Sequence, residues 1–222
     1  MPNQAKTKTL STKIPSTKKP NYWEQACAEL MKQDRIMRKL IPKYGDGILG
    51  SRGDAFTTLA RSIVGQQISV AAAQSVWNRT LETLQHEVTP ARVLKTKQED
   101  LRASGLSNRK VEYIRDLADH FHHGRLHTEQ WTKMDDEDLI KELSSIRGIG
   151  RWTAEMFLMF RLHRPDVLPV GDLGIIRGFQ KVYGWKKDPS PAKMTRTAEA
   201  WRPYRSIACW YLWRYLDGPA EL

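Results

Sequence analysis

An all-α protein, folded as one body in two helical lobes with a cleft between them, is predicted by three observations. From Trp23 onward the apolar residues recur with helical period almost throughout, and alternating strand-like runs are scarce. Residues that cap helix N-termini stand where those periodic runs begin. Glycines and prolines fall between the runs rather than within them, apart from Gly174 and Gly178. No internal repeat and no low-complexity linker interrupts residues 21 to 222. At 222 residues with 40% hydrophobic content, the chain is long enough to bury a substantial core.

Taken in order, residues 1 to 20 read "MPNQAKTKTLSTKIPSTKKP", with five lysines, no acid and almost no large apolar group. Such a segment cannot bury enough surface to offset the entropy of ordering, so a disordered basic tail is expected. It is either an arm that adds attraction to phosphates or a solubilising leader. The body should occupy residues 21–222. Helices should start at Ser69 in "SVAAAQSVWNRTLETL" and at Ser107 in "SNRKVEYIRDLADHF". Another should follow Asp135 in "DDEDLIKELSSI", whose first turn is crowded with acids that the helix dipole favours. Ser190 caps "SPAKMTRTAEAW" with Pro191 at the first helical position, and Pro203 is expected to open "PYRSIACWYLWRYL" in the same way.

Between "DLIKELSSI" and "RWTAEMFLMF" lies the four-residue turn "RGIG", giving helix, turn, helix over residues 136 to 160. Leu139, Leu143 and Ile146 should pack against Ala154, Phe157 and Leu158. Gly148 and Gly150 permit positive φ and close approach of another backbone, and the free N–H groups opening the second helix suit an anion such as a DNA phosphate. Arg147 and Arg151 flank the turn, Ile149 lies within it, and Thr153 offers a hydroxyl. The bland reading is a tight turn and nothing more. Lys and Arg number 36 against 25 acids, for a net charge of +11 and a pI near 9.7. That balance favours a polyanionic partner. Cys27 and Cys209 stand far apart with no metal-ligand spacing, so neither a disulfide framework nor a cysteine-held cluster is indicated, and a reducing compartment fits. No apolar run approaches the ~18 residues that span a bilayer, and no secretory leader is seen. The expectation is a soluble intracellular protein without a membrane partner.

Several stretches then carry a resemblance. "LSSIRGIGRWTA" followed by "DVLPVGDLGI" resembles the helix-hairpin-helix and following aspartate loop of the DNA glycosylase superfamily built on that motif. "ARSIVGQQISVAAAQSVW", "LRASGLSNRKVEYIRDLA" and "WRPYRSIACWYLWRY" are similar, in content and order, to the AlkA-type alkylpurine (3-methyladenine) branch. Together they cover roughly residues 50 to 216. The resemblance implies base flipping and hydrolysis of the N-glycosidic bond of alkylated purines in duplex DNA. It implies that Asp172, in "LPVGDLG", is the carboxylate that stabilises the oxocarbenium-like sugar; the alternative is a plain helix N-cap. Asp166, in "HRPDVLP", is read as a loop residue. It also implies that Trp152, Trp213 and Met156 line the base pocket, where stacking and cation–π attraction hold a cationic purine, while Trp201 and Trp210 stay in the core. The residue that fills the gap left by the flipped base should come from "GQQIS": Gln67, with Gln66 as its neighbour, a polar wedge where the type member has an apolar one.

Relatives that also cut the strand carry a lysine where this chain has Trp152, so the resemblance implies a monofunctional enzyme that leaves an abasic site. The four cysteines of an iron–sulfur cluster are missing, and nothing in the first 50 residues matches the sheet domain of the bacterial type member, so the fold should be purely helical. No cofactor is required by this reading. A Na+ or K+ ion would sit on the backbone carbonyls of Ser144, Ile146 and Gly148. The expected partner is duplex DNA containing alkylated bases, bound by a monomer, in a bacterial cytoplasm at the nucleoid or in a eukaryotic nucleus. Two other readings stay open: a noncatalytic DNA-binding protein that uses the hairpin only to grip the backbone, and a glycosylase for another damaged or mismatched base.

Overall fold

The computed structural model describes residues 19–45, 47, 49–50 and 53–218. The expected tail therefore lies outside the described residues, apart from Lys19 and Pro20. Among the described residues every regular element is helical. Two lobes form, and the chain passes from one to the other and back. The first lobe combines α1 (Trp23–Gln33) and α2 (Met37–Tyr44) with the C-terminal α10 (Leu173–Val182), α11 (Pro191–Ala198) and α12 (Arg205–Asp217), joined by a 3-10 turn at Glu199–Trp201. The second is built from α3 (Ala55–Gly65), α4 (Val70–Thr83), α5 (Pro90–Lys95), α6 (Gln98–Ala103), α7 (Asn108–His122), α8 (Asp136–Ser144) and α9 (Arg151–Phe160).

The expected caps are present: Ser69 accepts from Ala72 N, Ser107 from Lys110 N and Ser190 from Lys193 N. Each satisfies one backbone donor that a helix start leaves without an internal partner. The last helix departs from expectation. It begins at Arg205 rather than Pro203, because Tyr204 N donates to Trp201 O at 2.7 Å and closes a turn that contains the proline.

In the first lobe Trp23, Phe179, Trp201, Tyr211 and Leu212 are all fully buried, with Phe179 stacked on Trp201 at 4.8 Å. Buried Asp34 joins these helices: it accepts from Trp201 Nε1 at 3.0 Å and Tyr183 Oη at 2.6 Å, and caps α2 through Ile36 N and Met37 N. The second lobe closes over Ile63, Leu101, Ile114, Leu139, Leu143 and Phe157. As expected, Ile146, Ala154 and Leu158 are buried with them and pack the hairpin helices together.

Gly178 lets two helices of the first lobe pack closely. A Cβ there would lie 2.9 Å from Leu212 Cβ, so α10 and α12 approach at a separation only glycine allows.

Candidate active site

Asp172 stands at the N-cap of α10, on the border between the lobes, and its carboxylate gathers three donors. Ile175 N and Trp213 Nε1 donate to Oδ1 at 2.8 and 2.9 Å, and Trp152 Nε1 donates to Oδ2 at 2.7 Å. The two readings of this residue therefore coexist: it caps its helix and also carries an oriented carboxylate held by charge-assisted hydrogen bonds. The two indoles come from opposite lobes, Trp152 from α9 and Trp213 from α12. Gly174 makes room for this junction, since a Cβ would stand 2.8 Å from the Trp213 ring and 2.9 Å from Asp172 Oδ1. Behind it, burial pushes the Cys209 thiol far up, and the nearby Asp172 charge adds to the effect. That cysteine is an inert packing group.

Trp152 is 49% exposed. With Met156, Ser62, Gly65, Gln67 and the buried Thr153 it lines a cavity of about 480 Å³. A second cavity of about 460 Å³ adjoins it across Ser62, Gly65 and Met156 and is walled by Phe157 and Phe160. Trp213 is not among the walls of either; it stacks on Phe160 at 5.8 Å and so backs the second cavity. Phe160 lies four residues after Met156 and eight after Trp152, on one helical face, and that spacing was the signal for it in the sequence. Trp201 is fully buried and Trp210 packs edge-on against Trp23. Asp166 is engaged by Arg202 and Arg205 at 2.6 Å each and fixes the loop before α10.

At the hairpin, Gly148 has φ +83°, and a Cβ on it would meet the Tyr113 ring at 2.2 Å. Gly150 differs from expectation: its φ is −92°, it is the N-cap of α9, and nothing lies within 4 Å of where a Cβ would be. It supplies bare backbone at the helix mouth rather than a left-handed conformation. Ile149 is buried, and its N–H turns inward to Ile146 O at 3.1 Å. Thr153 is buried as well and faces the cavity, so its hydroxyl is not at the outer surface of the hairpin. Arg147 pairs with Glu112 at 3.1 Å while its N–H donates to Asp116 Oδ2 at 2.8 Å. Arg151 pairs with Glu137 through two bonds and with the buried Glu155 at 3.0 Å. Both arginines therefore have carboxylate partners already. The Glu137 bonds hold that carboxyl below its ordinary range, whereas burial, ahead of the Arg151 attraction, holds Glu155 above it.

The turn "GQQIS" sits opposite the hairpin. Gln67 is exposed with φ +59°, and Ile68 beside it is 41% exposed. Gln66 points elsewhere: its Nε2 donates to Gly148 O at 2.8 Å. This separates the two wedge candidates, leaving Gln67 as the projecting one. Residues of α7 that sequence reasoning passed over, Lys110 and Tyr113, border the groove of about 540 Å³ between this turn and the hairpin.

Residues 60–203 match the family described as HhH-GPD superfamily base excision DNA repair protein. The chain is 32% identical over 179 residues to "DNA-3-methyladenine glycosylase 1" of Schizosaccharomyces pombe, covering 79% of this chain and 78% of that one. Among solved structures it is similar to a DNA-3-methyladenine glycosidase from Bacillus halodurans, with TM-score 0.79, 34% identity and 87% and 91% of the two chains covered. It is also similar to a 3-methyladenine DNA glycosylase from S. pombe in complex with abasic DNA, with TM-score 0.74, 30% identity and coverage of 87% and 97%. A match through more than half the chain, including both helices of the hairpin and the aspartate loop, decides the relationship: the protein belongs to the HhH-GPD superfamily of base excision DNA repair proteins.

Proposed function

We propose that this protein is a monofunctional DNA glycosylase that flips alkylated purines of the 3-methyladenine and 7-methylguanine class out of duplex DNA and hydrolyses their N-glycosidic bond, leaving an abasic site. One observation carries the reading: a carboxylate at the lobe junction, Asp172, aimed by two indole N–H groups and one backbone N–H beside an aromatic cavity. A protein that only grips DNA has no use for that arrangement. Cleavage leaves positive charge on the sugar, and a preorganised carboxylate stabilises it and orients the attacking water. The cationic base is already a good leaving group, and the exposed face of Trp152 suits it by stacking, with Trp213 backing the aromatic wall from behind Phe160. Trp152 occupies the place of the lysine required for imine chemistry, which supports hydrolysis without strand cutting.

The bare hairpin amides and nearby basic residues take the phosphates, and the reading needs no cofactor. A Na+ or K+ ion fits only by sharing carbonyls already in use, since Ile146 O accepts from Ile149 N and Gly148 O from Gln66; Ser144 completes the set and no chemical step depends on it. No helix among the described residues is long and apolar enough to cross a membrane. The proposed partner is alkylated duplex DNA, bound by a monomer at the nucleoid or in the nucleus.

Asp172→Asn tests the mechanism. Asparagine keeps the Ile175 cap and the Trp213 contact on its oxygen, but its NH2 then faces the Trp152 donor. Single-turnover release of a methylated purine should fall on the order of 10²-fold or more, with melting and DNA binding close to the parent. Near-normal release by the folded variant removes Asp172 from the chemistry.

A further inference from the structure

Three bonds converge on the turn that carries Gln67. Lys110 Nζ, from α7, donates to Val64 O at 2.7 Å and to Gln66 O at 2.8 Å, satisfying carbonyls that the end of α3 would otherwise leave free. From within the turn, Gln66 Nε2 reaches the hairpin at Gly148 O. The same helix α7 holds the hairpin from below. Tyr113 packs under Gly148, Asp116 accepts from Arg147 N, and Glu112 pairs with the Arg147 guanidinium. A single helix thus ties together the segment that faces phosphates and the segment that faces the base stack. Directly after the doubly tied Gln66, Gln67 stands at φ +59°, a conformation a non-glycine residue keeps only when its surroundings impose it.

We propose that Lys110, acting with Gln66, is a positioning residue that couples the hairpin's grip on the DNA backbone to insertion of Gln67 into the gap left by the flipped base. Lys110 itself touches no reacting atom. Its ammonium fixes where the α3–α4 turn stands relative to the hairpin, so a phosphate seated at Gly148 and Gly150 places Gln67 in register with the base stack. Without it the hairpin still binds phosphates, but the plug is misplaced and the extrahelical state is less populated. The inference rests on the glycosylase reading and adds to it a residue that works through geometry alone.

The test compares Lys110→Met with the parent on two substrates: a methylated purine paired in duplex, and the same purine in a single-nucleotide bulge, where no pairing is broken and no gap needs filling. For the paired lesion, single-turnover release should fall roughly 10- to 100-fold, the scale of a misplaced positioning group. For the bulged lesion it should stay within about threefold of the parent, and affinity for undamaged duplex should fall by no more than about the same factor, the loss of one positive charge beside the groove. Lys110→Arg, which can serve both carbonyls, should recover most of the paired-lesion rate. Gln66→Ala, which leaves the end of α3 untouched, should reproduce the same selectivity and stands in if Lys110→Met fails to fold. Equal losses on both substrates, or no loss on the paired one, overturns the coupling. Absence of release by the parent on both substrates instead defeats the glycosylase reading itself.

Discussion

At the scale of single residues, the carboxylate of Asp172 caps a helix and, in the proposed function, also faces the reacting sugar. An aspartate at a helix N-cap needs one oxygen for the backbone. Here that same oxygen also takes the Trp213 indole, and the second oxygen takes Trp152. Each contact restricts the carboxylate further, which is what preorganisation requires. Glu155, one turn along α9 from Arg151, is the counterexample. Only 3% exposed, it is held above the ordinary glutamate value of 4.5 because burial outweighs the attraction of Arg151. The folded state therefore binds a proton more tightly than the unfolded chain does. Its contribution to stability is intact below the unfolded value and is lost as pH rises through the higher folded one. Glu155→Gln, which resembles the protonated form, should melt relative to the parent at progressively higher temperature as pH is raised from about 5 to about 8. A melting difference that is flat, or that runs the other way, shows that the Arg151 pair outweighs burial.

At the scale of elements, the hairpin uses its two glycines for different purposes. Gly148 is demanded by the fold, through φ +83° and the Tyr113 ring. Gly148→Ala should cost about 1–3 kcal/mol of stability, as strain at a special backbone position does, and should weaken DNA binding with it. Gly150 has ordinary φ and open space, so Gly150→Ala should cost only the loss of a better N-cap residue, about 0.5–1 kcal/mol. Its methyl nevertheless projects where a phosphate would approach, and affinity for duplex should drop. Melting curves beside binding isotherms separate the cases. Destabilisation by Gly150→Ala as large as that by Gly148→Ala, or unimpaired binding by it, contradicts this assignment.

At the scale of the molecule, two features shape DNA binding: a net charge of +11 over the whole chain and a lobe junction at which one tryptophan from each side meets the aspartate. Arg147 and Arg151 already have acidic partners, so a phosphate reaching either would compete with a carboxylate, while the overall positive charge favours a polyanionic partner. Affinity for undamaged duplex should fall at least about tenfold between roughly 50 and 200 mM salt, through release of counterions from the DNA. Titration at several salt concentrations measures the slope, and a flat one rules out a phosphate-dominated interface.

Helical period, caps at Ser69, Ser107 and Ser190, and the "RGIG" turn were legible in the residues because each depends on neighbours within a few positions. The family was legible only through resemblance, carried by several motifs in order over roughly residues 50 to 216, and the part expected of Asp172 came with that resemblance rather than from its local pattern, which any helix N-cap could share. Pro203 misled, because a turn closed by Tyr204 N postponed the helix. What Gln66 does, why Gly148 is costly to replace, and how Asp172 comes to have an indole on each side belong to the tertiary structure. Gln66 meets Gly148 across 82 positions and Trp213 meets Asp172 across 41. Such contacts are set by how two lobes close on each other, through packing that no local window of sequence contains.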